Sequence, residues 1–350
     1  MSLFPASRQI TLDAAMRDLR SGSPKARTLA AHALGDAGPA DRDAARAALV
    51  KALDDDRHEV RAEAAASLGA LEATGGGDPD DATVTAALIY RLDDGSPPVR
   101  QNAAIALGTL RHPAGFPALA QALRDGPVDL RFQAATSLCE IDPIAAFAPL
   151  ITALGDPDPQ VVAAVALSLG ATGDGRAAPH LARLLDHGEA AVRFDAAYAL
   201  AQLGDRRARS RLVRALGDRD RGWDAITALE DLGAAASIPE LAAVLVAKKI
   251  APEQPVRAAA AILALAGADD GGPHVAAARA ALIAALEHRK LPVRGLEVEQ
   301  LARIGDAWAI APLEALAQRR RSSDLQPAIA DALAAIRDRA TATATAGDAP

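Results

Sequence analysis

The side chains here that could do metal, nucleophilic or acid–base chemistry are seven histidines, one cysteine and 45 acids in 350 residues. Their spacing assembles no familiar reactive site. His32, His58, His112, His180, His187, His274 and His288 contain no i, i+4 pair and no His-Glu-x-x-His run, the spacing that turns two imidazoles toward one zinc ion. His58-Glu59 is the one His-Glu step, and it falls at a turn. Cys139 has no base placed beside it by the sequence, so nucleophilic catalysis lacks support. Gly75-Gly76-Gly77 does not match a phosphate-cradling loop, and Asp78, Asp80 and Asp81 lack calcium-loop spacing. No catalytic residue, metal or other cofactor is therefore expected. Two other groups stand out. Seven arginines (Arg206, Arg207, Arg209, Arg211, Arg214, Arg219, Arg221) crowd a short stretch before Trp223 and Asp224, and the few aromatics recur at regular intervals.

The elements that would hold these residues follow from a repeated stripe. Counting Val192 as zero, Ala196, Leu200 and Leu203 fall at offsets four, eight and eleven. At about 100° per residue they share one face of an amphipathic helix, which Gly204-Asp205 ends. Val60-Arg61, Val99-Arg100, Leu130-Arg131, Val256-Arg257 and Val293-Arg294 open similar helices, with Ala26-Arg27 and Val161-Val162 as weaker copies. Positions 100, 131, 162 and 193 are evenly spaced. A second apolar run ending in Asp precedes each copy. The unit is thus two antiparallel helices, repeated about ten times, and a fixed period of this size predicts an all-α stacked solenoid, an alpha-alpha superhelix.

Composition agrees. Half of the residues are apolar but only 3% are aromatic, which suits closely packed Ala, Leu and Val helices. One cysteine excludes an internal disulfide framework, and no apolar leader or long uncharged run is present, so a cytoplasmic setting is expected. Residues 1–175 carry 15 Lys and Arg against 23 Asp and Glu, the remainder 23 against 22. The acidic first half disfavours nucleic-acid wrapping along the whole length. The expected organisation is a loose 1–8, a single solenoid over 9–338 with a flexible insertion at 73–81, and a disordered tail over 339–350. Prolines 117, 149, 179, 239 and 312 are placed near the starts of first helices.

Pro-Leu opening a first helix, Asp at the turn, Val-Arg opening a second helix, and Ala-Ala-x-x-Leu-x-x-Leu-Gly-Asp closing it resemble HEAT repeats, of the short subtype first named for phycobilin lyases. The resemblance covers roughly residues 9–338. It implies a right-handed superhelix with second helices on the concave side. It also implies an arginine ladder formed here by Arg27, Arg61, Arg100, Arg131, Arg193, Arg257 and Arg294, paired with acids such as Asp55, Asp94, Asp125, Asp156 and Asp186. Val162 and Gly222 occupy ladder positions without an arginine.

Offsets two and six point away from the buried stripe. They carry Ile105, Phe132, Leu167, Phe194, Tyr198, Trp223 and Ile262, including four of the nine aromatics. Glu140, Asp195, Asp224, Glu230 and Asp231 flank them. An apolar strip with acidic edges suits an amphipathic helix or extended peptide with basic edges, so the leading expectation is a non-catalytic protein-interaction scaffold. Two alternatives stay open. The arginine-rich stretch beside Trp223 is similar in kind to HEAT-like alkylpurine glycosylases, which implies nucleic acid. The repeat subtype implies a bilin-lyase-like pigment role.

Overall fold

The computed structural model describes residues 11–73, 82–267 and 272–347. Among the described residues are twenty α-helices, four short 3₁₀ turns and no strand. Where the sequence suggests one span from 9 to 338, packing divides the chain into two units, 1–180 and 181–350. The stretch expected to be loose at 1–8, all but the first residue of the insertion 73–81, and the last three residues lie outside the described residues.

Unit one pairs α1 (Leu12–Ser21) with α2 (Pro24–Gly35), α3 (Arg42–Ala52) with α4 (His58–Ala73), α5 (Ala82–Arg91) with α6 (Pro97–Leu110), α7 (Gly115–Asp125) with α8 (Val128–Ile141), and α9 (Pro143–Ala153) with α10 (Pro159–Ala171). Starts are set by short polar caps and proline. Ser23 accepts from the Ala26 amide at 3.3 Å ahead of Pro24, and Asp142 accepts from the Ile144 and Ala145 amides at 2.9 Å ahead of Pro143. Because Asp142-Pro143 already starts α9, Pro149 falls inside that helix and not in its first turn.

Layers of unit one meet through their second helices, α2 on α4, α4 on α6, α6 on α8 and α8 on α10, far more closely than through their first helices. Val60, Ala64, Leu68, Val99, Ala103, Leu107, Val161, Val165 and Leu169 are buried along this stack. Small residues permit the approach. A Cβ on Gly35 would stand 3.0 Å from the Ser67 Cβ, on Gly69 3.1 Å from the Ala106 Cα, and on Gly108 3.0 Å from the Ser137 Cα. Gly69→Val is therefore expected to cost about 2 kcal/mol in urea unfolding by forcing α4 and α6 apart. Gly95→Ala, where nothing lies within 4 Å, should leave the midpoint nearly unchanged.

The boundary between the units falls inside α11 (Ala178–Leu184). Unit two continues with α12 (Ala190–Gln202), α13 (Arg209–Ala215), α14 (Gly222–Asp231), α15 (Ile238–Val244), α16 (Gln254–Ala266), α17 (Pro273–Ala285), α18 (Leu291–Ile304), α19 (Ala307–Ala317) and α20 (Gln326–Gly347). Gly204 takes a left-handed φ of 73° after α12, letting the Asp205 amide reach back to the Leu200 carbonyl at 2.8 Å. Pro312 again sits within its helix, α19. The break expected at 339 is absent, since α20 runs on to Gly347. Alternate alanines give that segment a helix propensity its low complexity concealed.

No helix among the described residues is long and apolar enough to cross a membrane.

Candidate binding surface on the second helices

A ladder of arginines fixes the second helices of unit one. Arg61 donates Nε and Nη2 to Asp94 at 2.8 Å each, and Nη1 to the Asp55 carbonyl at 3.0 Å. Arg131 grips Asp156 at 2.7 and 2.9 Å and the Gly126 carbonyl at 2.9 Å. Arg27 makes the same fork to Asp55 at 2.7 and 2.8 Å. Each arginine thus ties the turn before its own helix to the acid of the following turn. The acids also cap those turns: the Arg57, Ser96 and Asp158 amides donate to Asp55, Asp94 and Asp156.

Arg100 departs from expectation. Its partner is Asp129, at 2.9 and 3.0 Å, while Asp125 bonds its neighbour Arg124. The Gly126-Pro127 turn is short, so the acid has moved into the first turn of α8. Asp186 pairs with Arg211, not with a ladder arginine. Val162 simply packs, being buried.

Charge follows geometry. At Asp94 the hydrogen bond from Arg61 is the main cause holding the carboxyl below its ordinary range. At Asp55 and Asp156 burial pushes upward, and the arginine and amide hydrogen bonds override it. A carboxylate depressed in the folded state contributes stability that is complete above its ordinary pKa and lost as pH falls through the folded value. Unit one should therefore lose stability below about pH 4, the ordinary carboxylate range. Unfolding midpoints at pH 7, 4 and 3 check this, and the slope should be shallower in Asp94→Asn.

Unit two replaces the ladder piecemeal. Arg193 donates to the His187 and Gly188 carbonyls at 2.7 Å, with no carboxylate among its partners in the described residues. Opposite Gly222, the fully buried Gln254 donates to the Asp218 carbonyl at 2.6 Å and accepts from the Ala251 amide at 2.8 Å. Arg257 bonds Glu230, which Arg303 also reaches at 2.5 Å. At Glu230 burial pushes the pKa upward, and the two arginines bring it below the ordinary range. Glu230 is thus consumed internally and is not a free acidic flank. Arg294 donates to the His288 carbonyl at 2.7 Å.

The predicted apolar row divides. On α6, α8 and α10 of unit one, Ile105, Phe132 and Leu167 are 45%, 44% and 37% exposed, on three successive second helices. Thr136 is exposed beside them, and Glu140 stands at the edge, its carboxyl raised mainly by burial. In unit two, Tyr198 and Trp223 are half-buried, whereas Phe194 is buried and Ile262 fully so. Phe194 lies under the Arg221 guanidinium, 5.1 Å from its ring centroid. Ile262 is covered because α16 has no free face along this stretch: every residue from Val256 to Ile262 is buried. Phe194 and Ile262 are thus removed from the candidate surface. Asp195, Asp224 and Asp231 have no ion-pair partner among the described residues, and Tyr198 is held above its ordinary pKa by burial first, then by Asp224 and Asp231. Asp195 is likewise raised, chiefly by burial.

Cys139 occupies the offset where Gly69 and Gly108 stand in the layers before it. Its Sγ is 3.8 Å from the Ser168 carbonyl, and burial pushes its pKa up to about 11. It is a packing residue whose thiol is not primed to react. Among the described residues no group of three or more His, Cys, Asp or Glu could hold a metal. Within the arginine-rich stretch, Arg207 pairs with Asp205, Arg209 with Glu240 and Arg211 with Asp186. Three of the seven arginines in the apparent basic patch are therefore spent on internal pairs. Sequence reasoning missed Gln254 and Glu297, each a single departure from the period.

Stacked helix pairs locked by arginine–aspartate forks, with small residues between layers, define an α-solenoid of the HEAT type. Residues 77–139 and 116–201 match the HEAT repeats family, and residues 192–218 the PBS lyase HEAT-like repeat. HEAT-type repeats thus span residues 77–218 of the chain, in the PBS lyase HEAT-like form over 192–218. No curated protein matches it. Among solved structures it is similar to yeast importin-beta (Kap95p), with 18% identity and TM-score 0.64 over 87% of this chain and 47% of that one. It is also similar to the YibA protein of E. coli, with 20% identity and TM-score 0.50 over 75% and 99%. A third is the complex of CpcE and CpcF of phycocyanin lyase from Nostoc sp. PCC7120, with 25% identity and TM-score 0.43 over 80% and 97%. The first two likenesses concern the fold alone, and the third adds no argument.

Proposed function

We propose that this protein is a non-catalytic scaffold that docks an amphipathic helix or extended peptide against the second helices α6, α8 and α10. The observation that carries this reading is the exposure of Ile105, Phe132 and Leu167 on three successive layers whose packing does not need them. Each side chain is already about half covered, so completing its burial contributes about 1 kcal/mol. Three together are worth roughly a hundredfold in affinity. The wall between them is otherwise mostly uncharged, which favours an apolar partner face. Glu140 at its margin favours a basic residue beside that face.

Affinity capture from the native cell extract, comparing wild type with Phe132→Ser/Leu167→Ser, tests the reading. One or a few proteins should be retained by wild type and lost, at least tenfold, by the double variant with unchanged helicity. Equal retention by both proteins would remove this surface as the docking site.

A further inference from the structure

At the fourth position after the residue that opens each second helix, the chain places a small apolar side chain. Ala64, Ala103, Ala134, Val165, Ala196 and Ala260 occupy it, all completely buried. In α18 that position is Glu297, equally buried, and neither carboxylate oxygen has a hydrogen-bond partner. We propose that Glu297 is a protonation latch: α18 stays closed against α16, α17 and α20 over the neutral acid, and ionisation of Glu297 loosens these C-terminal layers.

An ionised carboxylate without partners in a core is far costlier than a neutral one, so this site selects the protonated form. Charged groups on the surrounding elements do not offset that preference. On α16, Arg257 is engaged by Glu230, and on α17 Arg279 lies over the Trp308 ring, with His274 near the helix start. On α20, Arg337 holds Glu314 and Arg339 the Gly305 carbonyl, beside Asp331 and Asp338. On α18 itself, Arg294 holds the His288 carbonyl and Arg303 holds Glu230, with Glu299 exposed. Burial alone governs the group and pushes its pKa up to about 9.

For an acid raised in the closed state, the open state sheds its proton first. Closure is then strongest below the ordinary carboxylate pKa and weakens tenfold per pH unit until the closed form also ionises, near 9. Release of α18 would also free Glu230 from Arg303, linking the latch to the inner wall of unit two.

Hydrogen exchange of the full chain, corrected for intrinsic rates, tests this between pH 6 and 8. Protection of α18 and α20 amides should fall about a hundredfold in wild type and stay level in Glu297→Ala, the residue most other layers use, while α4 and α6 are unaffected in both. Constant protection in wild type, or the same fall in Glu297→Ala, overturns the latch. Carboxyl-carbon NMR of the intact protein is a second, independent arm: titration near 9 supports the latch, and titration at the ordinary carboxylate value overturns it.

Discussion

Gly222→Arg is expected to destabilise unit two by about 3 kcal/mol or more, although arginine is the residue that most repeats place there. The space is already filled. A Cβ at 222 would stand 1.9 Å from the Gln254 Nε2 and 2.9 Å from the Leu216 carbonyl oxygen. Gln254 cannot move aside cheaply, because its amide bridges the Asp218 carbonyl and the Ala251 amide while fully buried. Displacing it strands two buried polar groups at about 1–3 kcal/mol each. Gly222→Ala should show most of the effect, since the clash begins at Cβ. Urea unfolding measures it directly. A Gly222→Ala variant within about 0.5 kcal/mol of wild type would mean that Gln254 is a passenger and not the tie that replaces the ladder.

Asp94→Ala is the second large effect, expected to cost about 3 kcal/mol. Its side chain is only 5% exposed and receives three donors, two from Arg61 and one from the Ser96 amide. Truncation leaves a largely buried guanidinium with only the Asp55 and Asp56 carbonyls as partners and uncaps the turn before α6. Asp125→Ala, at a position where the repeat pattern also suggests a ladder acid, should change stability little, because that carboxylate is exposed and bonds only its chain neighbour. Because breaking a pair costs more than replacing it, Arg61→Met/Asp94→Leu should recover much of the loss. Comparable midpoints for Asp94→Ala and Asp125→Ala would contradict a special role for the forks.

These residues show where reading the sequence succeeds. The period was legible because each layer needs the same buried side chains, so Val99, Ala103 and Leu107 mirror Val60, Ala64 and Leu68. The exposure of Ile105, Phe132 and Leu167 was legible too, since α6, α8 and α10 each keep one face outside the stack. The same helical-wheel logic placed Ile262 on a surface, and it failed because it assumes that every second helix has a free face. In α16 every residue from Val256 to Ile262 is buried, so neighbouring elements cover the face that stays open in unit one, and nothing at Ile262 itself announces them. Phe194 was lost similarly, to the guanidinium of Arg221. Asp129 took the place of Asp125 because the turn before α8 is two residues long where those before α4, α6 and α10 are five, which leaves the acid in the helix. Gln254 and Glu297 occur once each, and a pattern built from repetition discards singular residues.

The sequence contains one sulfhydryl, Cys139, seated between α8 and α10 where the other layers of unit one place Gly35, Gly69, Gly108 and Gly170. The thiol is half-buried, so part of its cover is the seam itself, and parting of those two helices exposes the sulfur further. The molecule therefore carries a single built-in reporter at a seam of the first unit, and a change in its alkylation rate between wild type and Gly69→Val would register a looser stack.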